Sequence, residues 1–183
     1  MLNEARIFKN VPGLYSIVPL NLFRKTKGVL FDNVPMKAFP VAISAIDRVV
    51  HEPNGQSPGQ VGDISRPWYM HPHQDDNLII PCGTRHVELY TRAHGRIERF
   101  TVTKDRIFYG EEVLFDGPAM LCWPRLVFHR VWSGPEGSVA INFAVHHEGI
   151  DFKTNFNIYD VDLDTGKFRV VREGYKDQAG AAF

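Results

Sequence analysis

Cysteine is scarce in this sequence: Cys82 and Cys122 are the only two. Two thiols cannot staple a disulfide scaffold, and without a Cys-x-x-Cys pair there is no signature of a structural zinc site. In a reducing compartment both are expected to sit as buried small hydrophobes. Excess charge of one sign is missing too. The 21 Lys and Arg balance 21 Asp and Glu, so no overall field draws the chain to nucleic acid or to an anionic membrane. No apolar run approaches the roughly 20 residues of a membrane-spanning helix. The opening stretch MLNEARIFKN carries polar and acidic residues where a secretion signal needs an apolar core, which points to a cytoplasmic protein. Repeats, low-complexity tracts and a convincing linker are absent, so residues 1–183 read as one domain, large enough to bury about 70% of its unfolded surface.

What the chain has is a period of two. VAISAIDRVVHE (41–52), LIIPCGTRHVELYT (78–91), RIERFTVT (96–103), SVAINFAVHH (138–147), FNIYDVD (156–162) and KFRVVRE (167–173) mix β-branched and aromatic residues with polar alternates, as half-buried strands do. Turn signals separate them, among them Asn54-Gly55, His94-Gly95 and Asp116-Gly117-Pro118. Asp164-Thr165-Gly166 predicts a hairpin joining 156–162 to 167–173. NEARIFKN (3–10) and LNLFRK (20–25) have room for a helical turn each, and the tail AGAAF is expected to fray or to exchange with a neighbouring subunit. Many short antiparallel strands imply an all-β sandwich or barrel, whose closure removes exposed edges. A long polar loop, 53–67, leads into the richest stretch of the chain, WYMHPHQDDN (68–77).

On a strand, positions i and i+2 share a face, so His71 and His73 are expected to project together, close enough to share an ion. Pro72 between them suits a strand start or edge. Asp75, Asp76 and Asn77 follow within reach as oxygen ligands. Further on, PRLVFHRV places His129 among Leu126, Phe128, Val131 and Trp132, where a buried polar side chain needs a partner. A third imidazole from that strand would complete a set of ligands with open positions, the arrangement of a catalytic iron, manganese, nickel or zinc centre.

These residues resemble the two motifs of the cupin superfamily, G(x)5HxH(x)3–4E(x)6G and G(x)5PxG(x)2H(x)3N. His71 and His73 match the first, with six residues between Asp76 and Gly83; Pro124 and His129 match the second at the expected separation. The family's glutamate is absent. Counting back from Gly83 puts Asp76 in its place and counting forward from His73 puts Asn77 there; Asp76 is favoured, since a carboxylate holds a divalent ion better than an amide. Pro124-Arg125-Leu126 stands for PxG, and the closing asparagine falls on Ser133. The resemblance implies a double-stranded β-helix, an RmlC-like jelly-roll barrel over about 40–150 with extra N-terminal and C-terminal strands, pairing as a homodimer. It implies metal ligands His71, His73, Asp76 (or Asn77) and His129.

Around such a centre, Arg85, Arg125 and Arg130 are the nearby cations, and Arg125, just before His129, is placed to clamp a carboxylate or phosphate. If Val87 and Leu89 pack inward, Arg85 shares their face and His86 points out. Trp68, Tyr69 and Met70 either meet a substrate ring or close the barrel end. Three functions compete. The first is an enzyme using a mononuclear divalent metal on a small oxygenated molecule, as dioxygenase, isomerase or lyase. The second, implied by the resemblance to sugar-nucleotide epimerases, is a metal-independent sugar or sugar-nucleotide isomerase, with His73 or His129 as base, Tyr69 or Tyr90 as acid and Arg125 on phosphate. The third is a non-enzymatic small-molecule binding module.

Overall fold

Fifteen strands account for most of the chain in the computed structural model, which describes residues 7–35, 39 and 42–178. They are β1 (Lys9–Val11), β2 (Tyr15–Pro19), β3 (Asn21–Thr26), β4 (Val29–Asn33), β5 (Ala45–His51), β6 (Gln56–Ser57), β7 (Trp68–Tyr69) and β8 (Gln74–Tyr90). There follow β9 (Glu98–Val102), β10 (Arg106–Tyr109), β11 (Glu112–Asp116), β12 (Ala119–Trp123), β13 (Phe128–His146), β14 (Ile158–Val161) and β15 (Phe168–Arg172). Thirteen of them join in one antiparallel sheet; β3 and β4 pair only with each other. One short helix, α1 (Phe152–Asn155), is capped by the Asp151 side chain, which accepts from the Lys153 N–H. None of the described helices is long and apolar enough to cross a membrane. The tail 179–183 lies outside the described residues.

The frame is the pair β8–β13, 17 and 19 residues long, with His129 opposite Leu89 and Asn142 opposite Leu78. Both strands bend where the register shifts between Ser133 and Ser138. Gly83 makes the bend possible. Its φ is +74°, and a Cβ there would lie 2.1 Å from the Gly137 carbonyl oxygen, so no side chain fits. The bend also switches parity. Before it, Gln74, Asp76 and Leu78 of β8 face inward; after it, Arg85, Val87 and Leu89 do. The inner faces of β2, β8, β9, β12 and β13 then close a core around Ile17, Leu89, Val102, Leu121 and Ala140, all at most 1% exposed. Burial of such side chains contributes about 25 cal/mol per Å² of apolar surface removed from water.

All six expected strands appear, with shifted ends, and the hairpin across Asp164–Gly166 pairs β14 with β15. The antiparallel, nearly all-β, jelly-roll arrangement is that of a cupin fold. As expected, strands are added at both ends: β1–β2 on β12, and β14–β15 on β7. Three expectations need correction. Residues 21–25 fall in β3 rather than a helical turn, since Phe23 and, across in β4, Val29 and Phe31 favour a strand. Of the stretch 3–10, Lys9 and Asn10 are in β1, and residues 3–6 lie outside the described residues. Cys82 is exposed, because it sits at the bend where parity changes; Cys122 alone is buried, and burial pushes its thiol up to about 12.

Candidate active site

Inside one half of the barrel lies a cavity of about 370 Å³. Its walls come from β5 (Asp47, Val49), β7 (Tyr69), β8 (Gln74, Asp76, Leu78, Arg85), β12 (Trp123) and β13 (His129, Val131, Asn142), with His71 and Phe156 from loops. Alternation decides who is inside. Asp76 shares a face with Gln74 and Leu78, while Asp75 and Asn77 turn the other way, toward Ser16 and Cys122. Asn77 is further tied down by donating to the Phe143 carbonyl. The choice between Asp76 and Asn77 therefore falls on Asp76.

Asp76 is the centre of the site. Its Oδ1 accepts from Gln74 Nε2 and from Asn142 Nδ2, each at 2.8 Å. Its Oδ2 is left to two imidazoles, 3.5 Å from His71 Nε2 and 3.8 Å from His129 Nε2. The far nitrogens are pinned. His71 Nδ1 lies 2.6 Å from the Asn155 carbonyl, and His129 Nδ1 lies 3.2 Å from the Val127 carbonyl. A carbonyl only accepts, so each Nδ1 carries a proton and each Nε2 is the nitrogen that faces Asp76. Burial, with a smaller contribution from His71, lowers His129 to about 4, so this ring is neutral near pH 7.

Rings frame the cluster. The Tyr69 ring lies 6.2 Å from His71 and 6.0 Å from His129, with Phe156 edge-on to His71 at 5.0 Å and Trp123 at 5.2 Å from His129. Burial raises the Tyr69 hydroxyl above the usual phenol range, with the nearby Asp177 adding to it and a Ser57 hydrogen bond opposing it. Tyr69 is therefore a protonated phenol near neutral pH. Its neighbours Trp68 and Met70 pack instead with Tyr90, Phe128 and Tyr159 in a second apolar cluster.

Two expected site residues lie elsewhere. Residues 71–73 form a bend, not a strand, so the rule that places i and i+2 on one face does not hold for His71 and His73. The His73 ring turns away, with Nδ1 2.9 Å from the Glu148 carbonyl, and the group of convergent ligand atoms comprises His71, Asp76 and His129 without it. Arg125 is exposed in the turn before β13 and does not line the cavity; its backbone N–H donates to Asp75 Oδ1 at 2.7 Å. Arg130 is outside as well, paired with Glu88 at 2.5 Å and lying over the Trp68 ring. His86 points outward, hydrogen-bonded to Thr101 and stacked on Trp132.

Sequence reasoning missed Asp47, Asn142 and Asn155. Asp47 and Asn142 were visible only as polar alternates of strands, which ordinarily face solvent. Here Asn142 Nδ2 donates to Asp76 and, at 3.2 Å, to Asp47, whose carboxyl is raised mainly by burial and further by Asp76. Asn155 acts through backbone and side chain together. Its Nδ2 donates to Gln74 Oε1, extending a chain of amides that ends on Asp76.

The donor set also suits a metal ion. Two imidazoles and a carboxylate offer ligand atoms within 4.8 Å of one another, and carbonyls fix the outer nitrogens as ligating histidines require.

No protein-family profile matches the sequence, and no curated protein matches it. Solved structures do match. A dTDP-sugar isomerase from Desulfovibrio desulfuricans is 17% identical, with TM-score 0.51 over 74% of this chain and 80% of its own. QdtA, a sugar 3,4-ketoisomerase from Thermoanaerobacterium thermosaccharolyticum in complex with TDP, is 14% identical, with TM-score 0.53 over 75% and 82%. A dTDP-4-dehydrorhamnose 3,5-epimerase from Sulfolobus tokodaii is 13% identical, with TM-score 0.55 over 80% and 77%. At these identities the shared property is the fold, the RmlC-like cupin barrel.

Proposed function

We propose that the protein is a metal-independent isomerase or epimerase of a small carbonyl-bearing sugar. The observation that carries this reading is the convergence of His71, Asp76 and His129 beside the Tyr69 ring in one cavity. An imidazole Nε2 takes the proton from the carbon beside the substrate carbonyl. The C–H electron pair becomes the enolate, and Asp76 Oδ2 stabilises the imidazolium. Tyr69, protonated, donates a hydrogen bond to the developing oxyanion or returns a proton to the opposite face. Return to the former carbonyl carbon, with the neighbouring hydroxyl giving up its proton to the former carbonyl oxygen as it becomes the new carbonyl, isomerises; return to the other face of the same carbon epimerises. The names of the similar structures, sugar isomerases and epimerases, support the choice of substrate class.

The test is exchange of substrate C–H for solvent deuterium, followed by proton NMR over aldoses, ketoses, uronates and thymidine-diphosphate-linked keto sugars. Wild type exchanges at least one of them; His71→Asn and His129→Asn lose about 100-fold or more, the usual contribution of general acid–base catalysis. Exchange that is unchanged in both variants rules the reading out.

A second reading is favoured by the tautomers alone: the same three side chains hold iron, manganese, nickel or zinc. Bound there, such an ion would polarise a carbonyl oxygen. Elemental analysis of the untagged protein beside a His71→Ala, His129→Ala variant separates the two readings.

The working form in this proposal is a homodimer. The β3–β4 hairpin exposes Leu22, Phe23, Leu30 and Phe31, and the outer face of β5 exposes Ile46 and Val50. A lone two-stranded hairpin is marginal in water, so a second copy of this surface is the occupant that would stabilise it.

A further inference from the structure

Arg85 is 1% exposed, yet no carboxylate among the described residues lies within 4 Å of its guanidinium. Its contacts are neutral and mostly long. Nε donates to Ser138 Oγ at 2.8 Å, Nη2 to the Val49 carbonyl at 3.4 Å, and Nη1 meets His51 Nε2 at 3.5 Å. His51 does not compensate, for burial and then Arg85 itself lower it to about 4 and leave it neutral. A buried, hydrogen-bonded cation without a counter-ion is a costly arrangement, and it is satisfied when a ligand brings the anion.

The same side chain lines the cavity that holds Asp76, His71 and His129. Arg85 lies opposite Ser133, and His129 lies opposite Leu89. Four residues of strand, about 13 Å, thus separate the two backbone positions along the barrel. Both side chains line the one cavity between those positions. Among the described residues, Arg85 is the only Lys or Arg on the cavity wall, against the carboxyl groups of Asp47 and Asp76. One negative charge on the ligand pairs with Arg85; the several charges of a diphosphate would face those two aspartates without further cations.

We infer that Arg85 is the anchor for the carboxylate of a small monoanionic substrate, a sugar acid rather than a nucleotide sugar, whose far end is presented to the His71–Asp76–His129 cluster. The inference rests on the proposed proton-transfer function for its substrate class and deepens it. The forked guanidinium sets the carboxylate bidentately, so the carbonyl-bearing end takes one orientation.

The experiment is ligand-observed saturation-transfer NMR on the full chain with glucuronate, galacturonate and gluconate beside glucose and galactose, and with thymidine diphosphate. Wild type binds at least one acid more tightly than its neutral counterpart. Arg85→Gln weakens that acid about 10- to 100-fold, as expected for losing a charge-assisted pair, and Arg85→Lys weakens it less. No preference for any acid over its neutral counterpart, or equal binding by Arg85→Gln, overturns the inference, as does tighter binding of thymidine diphosphate that survives Arg85→Gln. If Arg85→Gln does not fold, judged by circular dichroism, the acid-to-neutral comparison in wild type and the Arg85→Lys affinity decide. The His71→Asn variant keeps the two claims apart. Arg85-dependent acid binding without any C–H exchange sinks the proposed function and leaves the anchor standing; exchange on neutral sugars that ignores Arg85→Gln does the reverse.

Discussion

The Asn155 carbonyl accepts a hydrogen bond from His71 Nδ1 at 2.6 Å, across 84 residues of chain. A short C-terminal helix thereby decides which nitrogen of a cavity imidazole is left to work. The Asn155 side chain adds two bonds, accepting from the His73 N–H at 3.2 Å and donating to Gln74 at 3.3 Å. Asn155→Ala keeps the carbonyl but strands those buried partners, so stability falls by about 1–3 kcal/mol. Urea unfolding measures this; an unchanged midpoint and slope contradict the role given to the side chain.

Gly83 and Gly95 both have positive φ, +74° and +73°, but only Gly83 meets backbone. Gly95→Ala bears the left-handed penalty alone, about 1–2 kcal/mol. Gly83→Ala adds a clash with the Gly137 carbonyl that no side-chain movement relieves, and it disrupts the bend that turns Arg85 inward. Its soluble yield and melting temperature should fall well below those of Gly95→Ala. Equal behaviour of the two variants would contradict the parity switch.

His51 is lowered to about 4 by burial and by Arg85, against 6.5 for a free imidazole. Its folded pKa is the lower one, so the unfolded chain binds the proton first as pH falls. Stability is whole above pH 6.5 and declines as pH falls from 6.5 through 4. His129, also lowered to about 4, acts in the same direction. His51→Gln removes one of these contributions and flattens the decline, measured as unfolding free energy against pH; an identical slope contradicts the buried neutral His51.

Replacing Phe23 and Leu30 together by serine removes two exposed apolar side chains from the β3–β4 hairpin without touching the cavity. Light scattering after size exclusion is expected to give a dimer mass for wild type and a monomer mass for the variant. A monomeric wild type removes the dimer from the account.

Much of the barrel was legible because alternation is a local property. LIIPCGTRHVELYT and SVAINFAVHH declare half-buried strands by their own residues, and Asp164-Thr165-Gly166 declares a turn. The short strands β6 and β7 were not legible, since two residues carry no period and pair only because β13 lies beside them. His71, Asp76, His129 and Tyr69 were found in sequence and meet in the cavity. His73 does not, because its spacing from His71 reads as strand where the chain bends, and Arg125 does not, because nearness to His129 in the chain leaves its side chain in an exposed turn. Asn155 carried no sequence signal at all, for its role depends on where a helix 84 residues from His71 comes to rest.

The central claim is proton transfer by the His71–Asp76–His129 cluster without a metal. The most direct measurement is deuterium incorporation into a turned-over sugar by protein stripped with chelator and verified metal-free by elemental analysis. The account predicts undiminished incorporation in stripped wild type and its loss, about 100-fold or more, in His129→Asn. Incorporation that vanishes on stripping and returns with added iron, manganese, nickel or zinc would contradict it.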